Sequence, residues 1–267
     1  MSLGRIHTPG RAFGIKYSAT GWLSSDPGGI LYIASGTGIS PAMNTDTTGA
    51  RLSNAVSYTT PTRGGFTGTV MHSTGEGQSY ASGNAKVTTA AVSYLDGPLM
   101  LDLVVGKIYD IPGRQSGQTD IALGGRYDFT VGKVFATVVR RNGSVVAAPG
   151  ATPPLVGSND SDMIYAGGVQ FPVGPHLYGL GASRMKVADK HRGLYSGNVS
   201  VPFATRLDDT TVLSVSYTYF LSKRTSLFVA YGTLKNDTQG NTSFSPGMRP
   251  VAGGRSSIAA SGIRHNF

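Results

Sequence analysis

Apolar residues recur at every second position through much of this chain. In the segment 211–221, Leu213, Val215, Tyr217, Tyr219 and Leu221 share one face, while Ser214, Ser216 and Thr218 occupy the other. That alternation describes a strand with a single apolar face. The following run sets Leu227, Val229 and Tyr231 against Ser226, Ala230 and Gly232, and 120–129 sets Ile121, Leu123, Tyr127 and Phe129 against Asp120, Arg126 and Asp128. About eleven such segments begin near residues 52, 65, 86, 99, 119, 133, 162, 176, 210, 225 and 257. No run of comparable length repeats at 3.6 residues, so the pattern predicts an all-β chain.

The connections alternate in length. Short turns are expected at 60–65, 96–98, 130–133, 172–175 and 222–224, and long polar connections near 73–85, 110–119, 142–161, 187–209 and 235–256. In an antiparallel up-and-down meander, all short turns then fall at one end and all long loops at the other. A soluble sandwich with Greek-key links gives no reason for this order. A transmembrane β-barrel does, with tight turns on one side, long loops on the other, an apolar band outside and a polar lumen. Tyr58, Tyr94, Tyr127, Phe129 and Tyr219 sit near strand ends, as interfacial girdles require. The alternative is that they are the core aromatics of a sandwich.

Composition narrows the reading further. Charged residues are only 14% of the 267, and the gap is filled by Gly (38), Ser, Thr and Tyr (13) rather than by apolar residues, which stand at 39%. No stretch approaches the roughly 20 apolar residues that a spanning helix needs. The absence of cysteine removes thiol catalysis, thiolate metal sites and disulfides. His7, His72, His176, His191 and His265 include no pair at metal-ligand spacing, so no metal or cofactor is expected. Glycine-rich pieces at 26–29 and 179–183 lack the Lys-Ser/Thr ending of a phosphate loop. No nucleophile–base constellation can be assembled, and the expectation is a protein that is not an enzyme. The net charge of +9 comes from 23 basic and 14 acidic residues without a Lys/Arg cluster longer than two, which speaks against nucleic acid as a partner.

The chain ends SIAASGIRHNF, with Ala259, Ser261, Ile263 and His265 at alternate positions and the aromatic Phe267 last. This closing strand resembles that of the Gram-negative general porin family, especially proteobacterial porins ending in a GxRHxF-like strand. Leu3–Arg5 (LGR) resembles the strand entering the constriction loop. NAVSYTTP and GGFTGTVMHSTGEG are similar to the next two strands, and TTVLSVSYTYFLSKRTSLFVAYG to the last hairpin but one. The resemblance covers essentially the whole chain and implies one barrel domain over 1–267, with a pore-constricting loop at 9–49 and strands and external loops over 50–267.

It also implies a function that needs no chemistry: a water-filled outer-membrane channel for passive diffusion of small hydrophilic solutes. Further implications are a homotrimer surrounded by outer-membrane lipid and lipopolysaccharide, and assembly machinery that reads the strand bearing Ile263, His265 and Phe267. The constriction would carry the basic residues Arg5, Arg11, Lys16 and Arg51 against the acidic Asp26 and Asp46, which predicts a preference for anions. Arg5 comes from the match itself; Arg51 takes the lumen parity if Val56 and Tyr58 face lipid. Alternation points Arg126 and Arg264 inward as well, with Asp102, Asp120 and Asp128 as counter-charges.

Two features depart from the family. Its members have sixteen strands behind a signal peptide, whereas Met1–Gly10 lack an apolar signal core and about eleven strands plus the end of a twelfth are legible. The expectation is therefore an N-terminally truncated barrel; closure into a smaller barrel is the alternative. Second, Ser57 stands where these porins often have Arg. A competing function is a non-channel β-rich adhesin or binding module with long recognition loops.

Overall fold

The computed structural model describes residues 1–20, 51–74, 86–109, 118–143, 145–147, 155–157, 160–196, 205–244 and 250–267. Its elements begin with β1 (Ser2–His7), α1 (Pro9–Lys16), β2 (Arg51–Thr59), β3 (Phe66–Ser73), β4 (Val87–Asp96) and β5 (Leu99–Ile108). They continue with β6 (Thr119–Phe129), β7 (Gly132–Asn142), β8 (Val145–Ala147), β9 (Leu155–Gly157), β10 (Ser161–Val173) and β11 (His176–Lys186). The last are β12 (Tyr195–Ser196), β13 (Thr205–Arg206), β14 (Thr210–Phe220), β15 (Thr225–Asn236) and β16 (Arg255–His265). Twelve strands form one antiparallel sheet in the order β1-β2-β3-β4-β5-β6-β7-β10-β11-β14-β15-β16. This is the up-and-down meander expected, with the partial strand at Leu3–Arg5 making the twelfth. Among the described residues β1 and β16 are its two edges and do not pair, so the smaller closed barrel does not form.

Strict antiparallel order sorts the connections as the alternation predicts. Residues 60–65, 97–98, 130–131, 174–175 and 221–224 turn at one rim, and every long connection lies at the other. Gly97 (φ 51°) and Gly174 (φ 58°) supply the left-handed backbone that two of the tight turns demand. Phe267 follows β16 at the short-turn rim, since His265 pairs with Thr225. The sequence pattern misses a second, small sheet of order β13-β12-β8-β9, which joins the two long connections after β7 and β11.

Register divides the sheet into two faces. One carries Leu103, Leu123, Tyr165, Leu180, Leu213, Val215, Val229 and Tyr231, all exposed. In water such a surface is a large liability; in a bilayer it is the lipid-facing band. Aromatic pairs on this side lie toward the short turns: Phe66 with Tyr94, Tyr127 with Phe129, and His176 stacked near Tyr178, Tyr217 and Tyr219.

The opposite face is not uniformly polar. Toward the long loops it bears Leu52, Met71, Val87, Val104, Ile108, Val139, Ile164, Met185, Val212 and Leu234, all buried. Buried polar groups are set among them, Asp120 with Arg141 and Asp162 included, and toward the short turns the apolar share falls. The rim above the apolar half is fastened by Arg192, which reaches Asp189 (3.1 Å), Asp208 (2.6 Å) and Asp209 (3.0 Å), and by His191 Nδ1 2.8 Å from Asp162 Oδ1.

The rim assignment has a direct test, made simple by the absence of native cysteine. Thr62→Cys and Thr238→Cys should react with a membrane-impermeant thiol reagent from opposite sides of a bilayer. Labelling of both from the same side would contradict the topology.

Candidate functional site

The site is assembled where the chain leaves β1 and crosses the face opposite the lipid-facing one. Thr8 caps α1, its Oγ1 accepting from the Arg11 amide at 3.2 Å, and Pro9 stands in the first turn, where its missing N–H costs nothing. The helix buries Phe13, and Tyr17 closes it with its amide donating to the Phe13 carbonyl at 3.2 Å. From here four residues of the stretch 16–20 touch strand after strand. Lys16 Nζ donates to Ser93 on β4 (3.2 Å) and to Asp102 on β5 (2.7 Å). Tyr17 Oη donates to Asp102 at 2.8 Å and lies 3.1 Å from the Gly124 carbonyl on β6. The Ala19 carbonyl accepts from Gln170 of β10 at 2.9 Å, and Thr20 Oγ1 lies 3.4 Å from Ser214 Oγ on β14.

That path fixes the curvature. From β4 to β14 there are six strand spacings, about 29 Å on a flat sheet. The segment covers that width through its side chains as well as its backbone, and it lies on the face whose residues are buried while the other face is exposed. A sheet buried on one face along its length and exposed on the other curls around that buried face, so the segment lies on the concave side.

Small residues on the wall make the approach possible. A Cβ on Gly124 would sit 2.6 Å from the Tyr17 ring and 2.8 Å from that of Phe13, and Gly168 and Gly179 are as closely covered by Ala19. Asp102 is the anchor: it is 3% exposed and accepts from Lys16, Tyr17 and Ser93 at once. Burial, then the hydrogen bond to Asp102 and its charge, push the Tyr17 phenol far above its ordinary range, so it stays a donor at every physiological pH.

The residues singled out from sequence are sorted by this geometry. Asp102, Asp120, Arg126, Asp128 and Arg264 all stand on the concave face, Arg264 through its pairing with Ser226. Two of the acids are consumed locally. Asp102 holds Lys16, and Asp120, fully buried, pairs with Arg141 at 3.2 Å. Asp128 is shared by Arg126 (2.8 Å) and Lys133 (3.5 Å). Lys133 escaped the sequence reading, although its place opposite Asp128 follows from the tight turn between them.

Arg51 is a correction. Asn54 takes a left-handed φ of 50°, and the register slips there between Gly4↔Ala55 and Ile6↔Leu52. The bulge moves one extra residue into β2. Leu52 turns into the buried cluster with Ala55 and Met71, and Arg51 turns to the lipid-facing side, its Nε 2.8 Å from His7 Nε2. The same register sets Ser2, Gly4 and Ile6 inward, leaving Arg5 with Leu3 and His7 on the outer face. Arg11 lies on α1 and Lys16 at its end; Asp26 and Asp46 lie outside the described residues. Ile263 and His265 face outward, and the Phe267 ring packs 4.9 Å from His265.

The anchor predicts measurable losses. Asp102→Ala strands a partly exposed ammonium and a buried phenol, and should lower unfolding stability in detergent by up to about 3 kcal/mol. Tyr17→Phe, which removes one neutral donor, should cost about 1 kcal/mol. Denaturant midpoints equal to that of the unmodified protein in both variants would contradict the anchoring role.

Known proteins share this architecture. A family model described as Gram-negative porin matches residues 3–239. An outer membrane porin protein of Bordetella pertussis is 27% identical over 247 residues, covering 85% of this chain and 59% of that protein. The chain thus spans less than two thirds of that relative's length. Among solved structures, the anion-selective porin from Comamonas acidovorans superposes with a TM-score of 0.67 at 22% identity, over 99% of this chain and 73% of that one. Salmonella typhi OmpF in complex with daunomycin gives 0.66 at 10% identity, over 98% and 73%. At these identities the structural likeness bears on the fold, while the family match extends over most of the sequence. The chain belongs to the Gram-negative porin family.

Proposed function

We propose that the protein forms the wall and constriction of a water-filled outer-membrane channel for passive diffusion of small hydrophilic solutes, with a preference for anions. The observation that carries this reading is the course of residues 9–20 across the concave face, tied to β4, β5, β6, β10 and β14 by side-chain hydrogen bonds. A segment so fastened narrows the lumen that the concave face would line. The trimer, the surrounding lipopolysaccharide and the assembly machinery reading Phe267 belong to the same proposal, and membership of the porin family supports them.

The field toward the short turns favours anions. Arg126, Lys133 and Arg264 stand there on the concave face, and Asp128 is the single carboxylate that Arg126 and Lys133 share. Lys16 adds little, because Asp102 sits against it. A unit charge about 7 Å from an ion in a watery pore is worth about 0.6 kcal/mol, a factor of nearly three in local concentration.

The test is the reversal potential of reconstituted channels across a potassium chloride gradient. Chloride should pass more readily, and Arg126→Ala or Lys133→Ala should each lower the anion-to-cation permeability ratio by about two- to threefold. Arg5→Ala and Arg51→Ala, on the outer face, should leave it unchanged. The preference should fade near 1 M salt, where the Debye length is about 3 Å. A native pore that favours potassium, or one that responds to Arg51→Ala and not to Arg126→Ala, would overturn the assignment.

A further inference from the structure

The concave wall holds a cluster near the short-turn rim that the field argument uses only through its charge. Ser226 of β15 is buried, and the register sets Phe220 of β14 directly across it on one side and Arg264 of β16 on the other. Phe228 stands two residues along β15 on the same face, between Thr218 and Gly262. At ordinary strand spacings Phe220 and Arg264 are about 10 Å apart, and Phe228 lies about 7 Å from the row they define.

Lipid and core packing do not account for the two phenylalanines. Tyr217 and Tyr219, which meet His176, take the outer face of β14, so Phe220 and Phe228 stand on the side away from an interfacial aromatic girdle. Neither belongs to the buried apolar clusters toward the long loops, and Phe220 is 45% exposed. Gly262 lets the Phe228 ring lie low across β16, since a Cβ there would sit 3.0 Å from it. The ring is thereby laid on the strand that carries Arg264, two residues further on.

The charge around these rings has one sign. No inward position of β14, β15 or β16 is acidic, and the turn 221–224 adds the exposed Lys223 and Arg224. Wet aromatic surface beside a guanidinium fits a solute with an aromatic ring at one end and a negative charge at the other. Ring pairs gain more than the area they bury, and the guanidinium fork matches a carboxylate through two parallel bonds. An aromatic cation would be repelled, and an aliphatic acid would leave the rings in water.

We propose that Phe220, Phe228 and Arg264 form a subsite for small aromatic carboxylates on the channel wall near the short-turn mouth. The proposal rests on the channel reading above and names a solute class for it.

Benzoate is the probe, with acetate and benzamide as controls that lack the ring and the charge. Each is added to reconstituted channels at neutral pH while the chloride conductance is recorded. Benzoate should reduce the conductance saturably, at a concentration about fivefold below that needed with acetate, and benzamide should not compete. Phe220→Leu combined with Phe228→Leu should bring benzoate to within about twofold of acetate. Phe220→Leu alone, at a half-exposed position, should remove about half of the advantage, and it tests the ring if the double change fails to fold. Arg264→Gln should weaken benzoate about threefold, whereas Arg126→Gln, on β6, should keep the benzoate-to-acetate ratio within about twofold. Saturation-transfer NMR of benzoate with the folded protein in detergent, against protein-free micelles, should give the same order. Benzoate no better than acetate, a ratio unmoved by the leucine variants, or an equal loss in Arg126→Gln would overturn the proposal. A conducting, anion-preferring pore with those results leaves the channel reading intact. A protein that binds benzoate through these residues yet passes no current refutes the channel reading and keeps the subsite.

Discussion

Backbone hydrogen bonding within the sheet is the constraint on which everything else depends. In hydrocarbon no water can satisfy an N–H or C=O, and each orphaned group costs several kcal/mol. The chain answers with an antiparallel ladder of twelve strands, interrupted by the bulge at Asn54 and joined at one rim by tight turns. Once that ladder exists, period two assigns every side chain to lipid or to the concave side. Among the described residues, the edges β1 and β16 are where the rule remains unmet.

The concave side is shaped by a second requirement, that the long connections be held in place. The apolar inner half, from Leu52 and Met71 round to Val212 and Leu234, buries its side chains instead of lining water. Each fully buried side chain of this size contributes about 1.5–3 kcal/mol. The polar contacts of residues 16–20 then set the position of the crossing segment, with Asp102 gathering Lys16, Tyr17 and Ser93. Apolar burial supplies adhesion and the hydrogen bonds supply register.

The sequence reveals strands most clearly where the two faces differ, as in β14 and β15, whose inner positions are largely Ser, Thr, Ala and Gly. It is less clear in Leu103–Val105 or Met163–Tyr165, where both faces are apolar and alternation fades. The rims were legible from connection length alone. Arg51 was misplaced because a bulge leaves no mark in the hydropathy pattern, and only the left-handed φ of Asn54 betrays it. The helix α1 had a local signal in Thr8-Pro9, but eight residues are too few for period 3.6 to stand out. Asp102 was visible as an inward acid; its partners, 85 and 86 positions away, were not. The net charge of +9 carries no mark of its placement in the sequence, and register divides the basic residues between the concave wall and the lipid-facing rim.

The central claim is that one face of the sheet meets lipid and the other meets water. Spin labels placed singly along β14 of the bilayer-reconstituted protein test it most directly. Labels at Leu213 and Val215 should be relaxed by oxygen, which concentrates in hydrocarbon, and those at Ser216 and Thr218 by a water-soluble nickel complex. A monotonic profile with no alternation, or one with the two faces exchanged, would contradict the account.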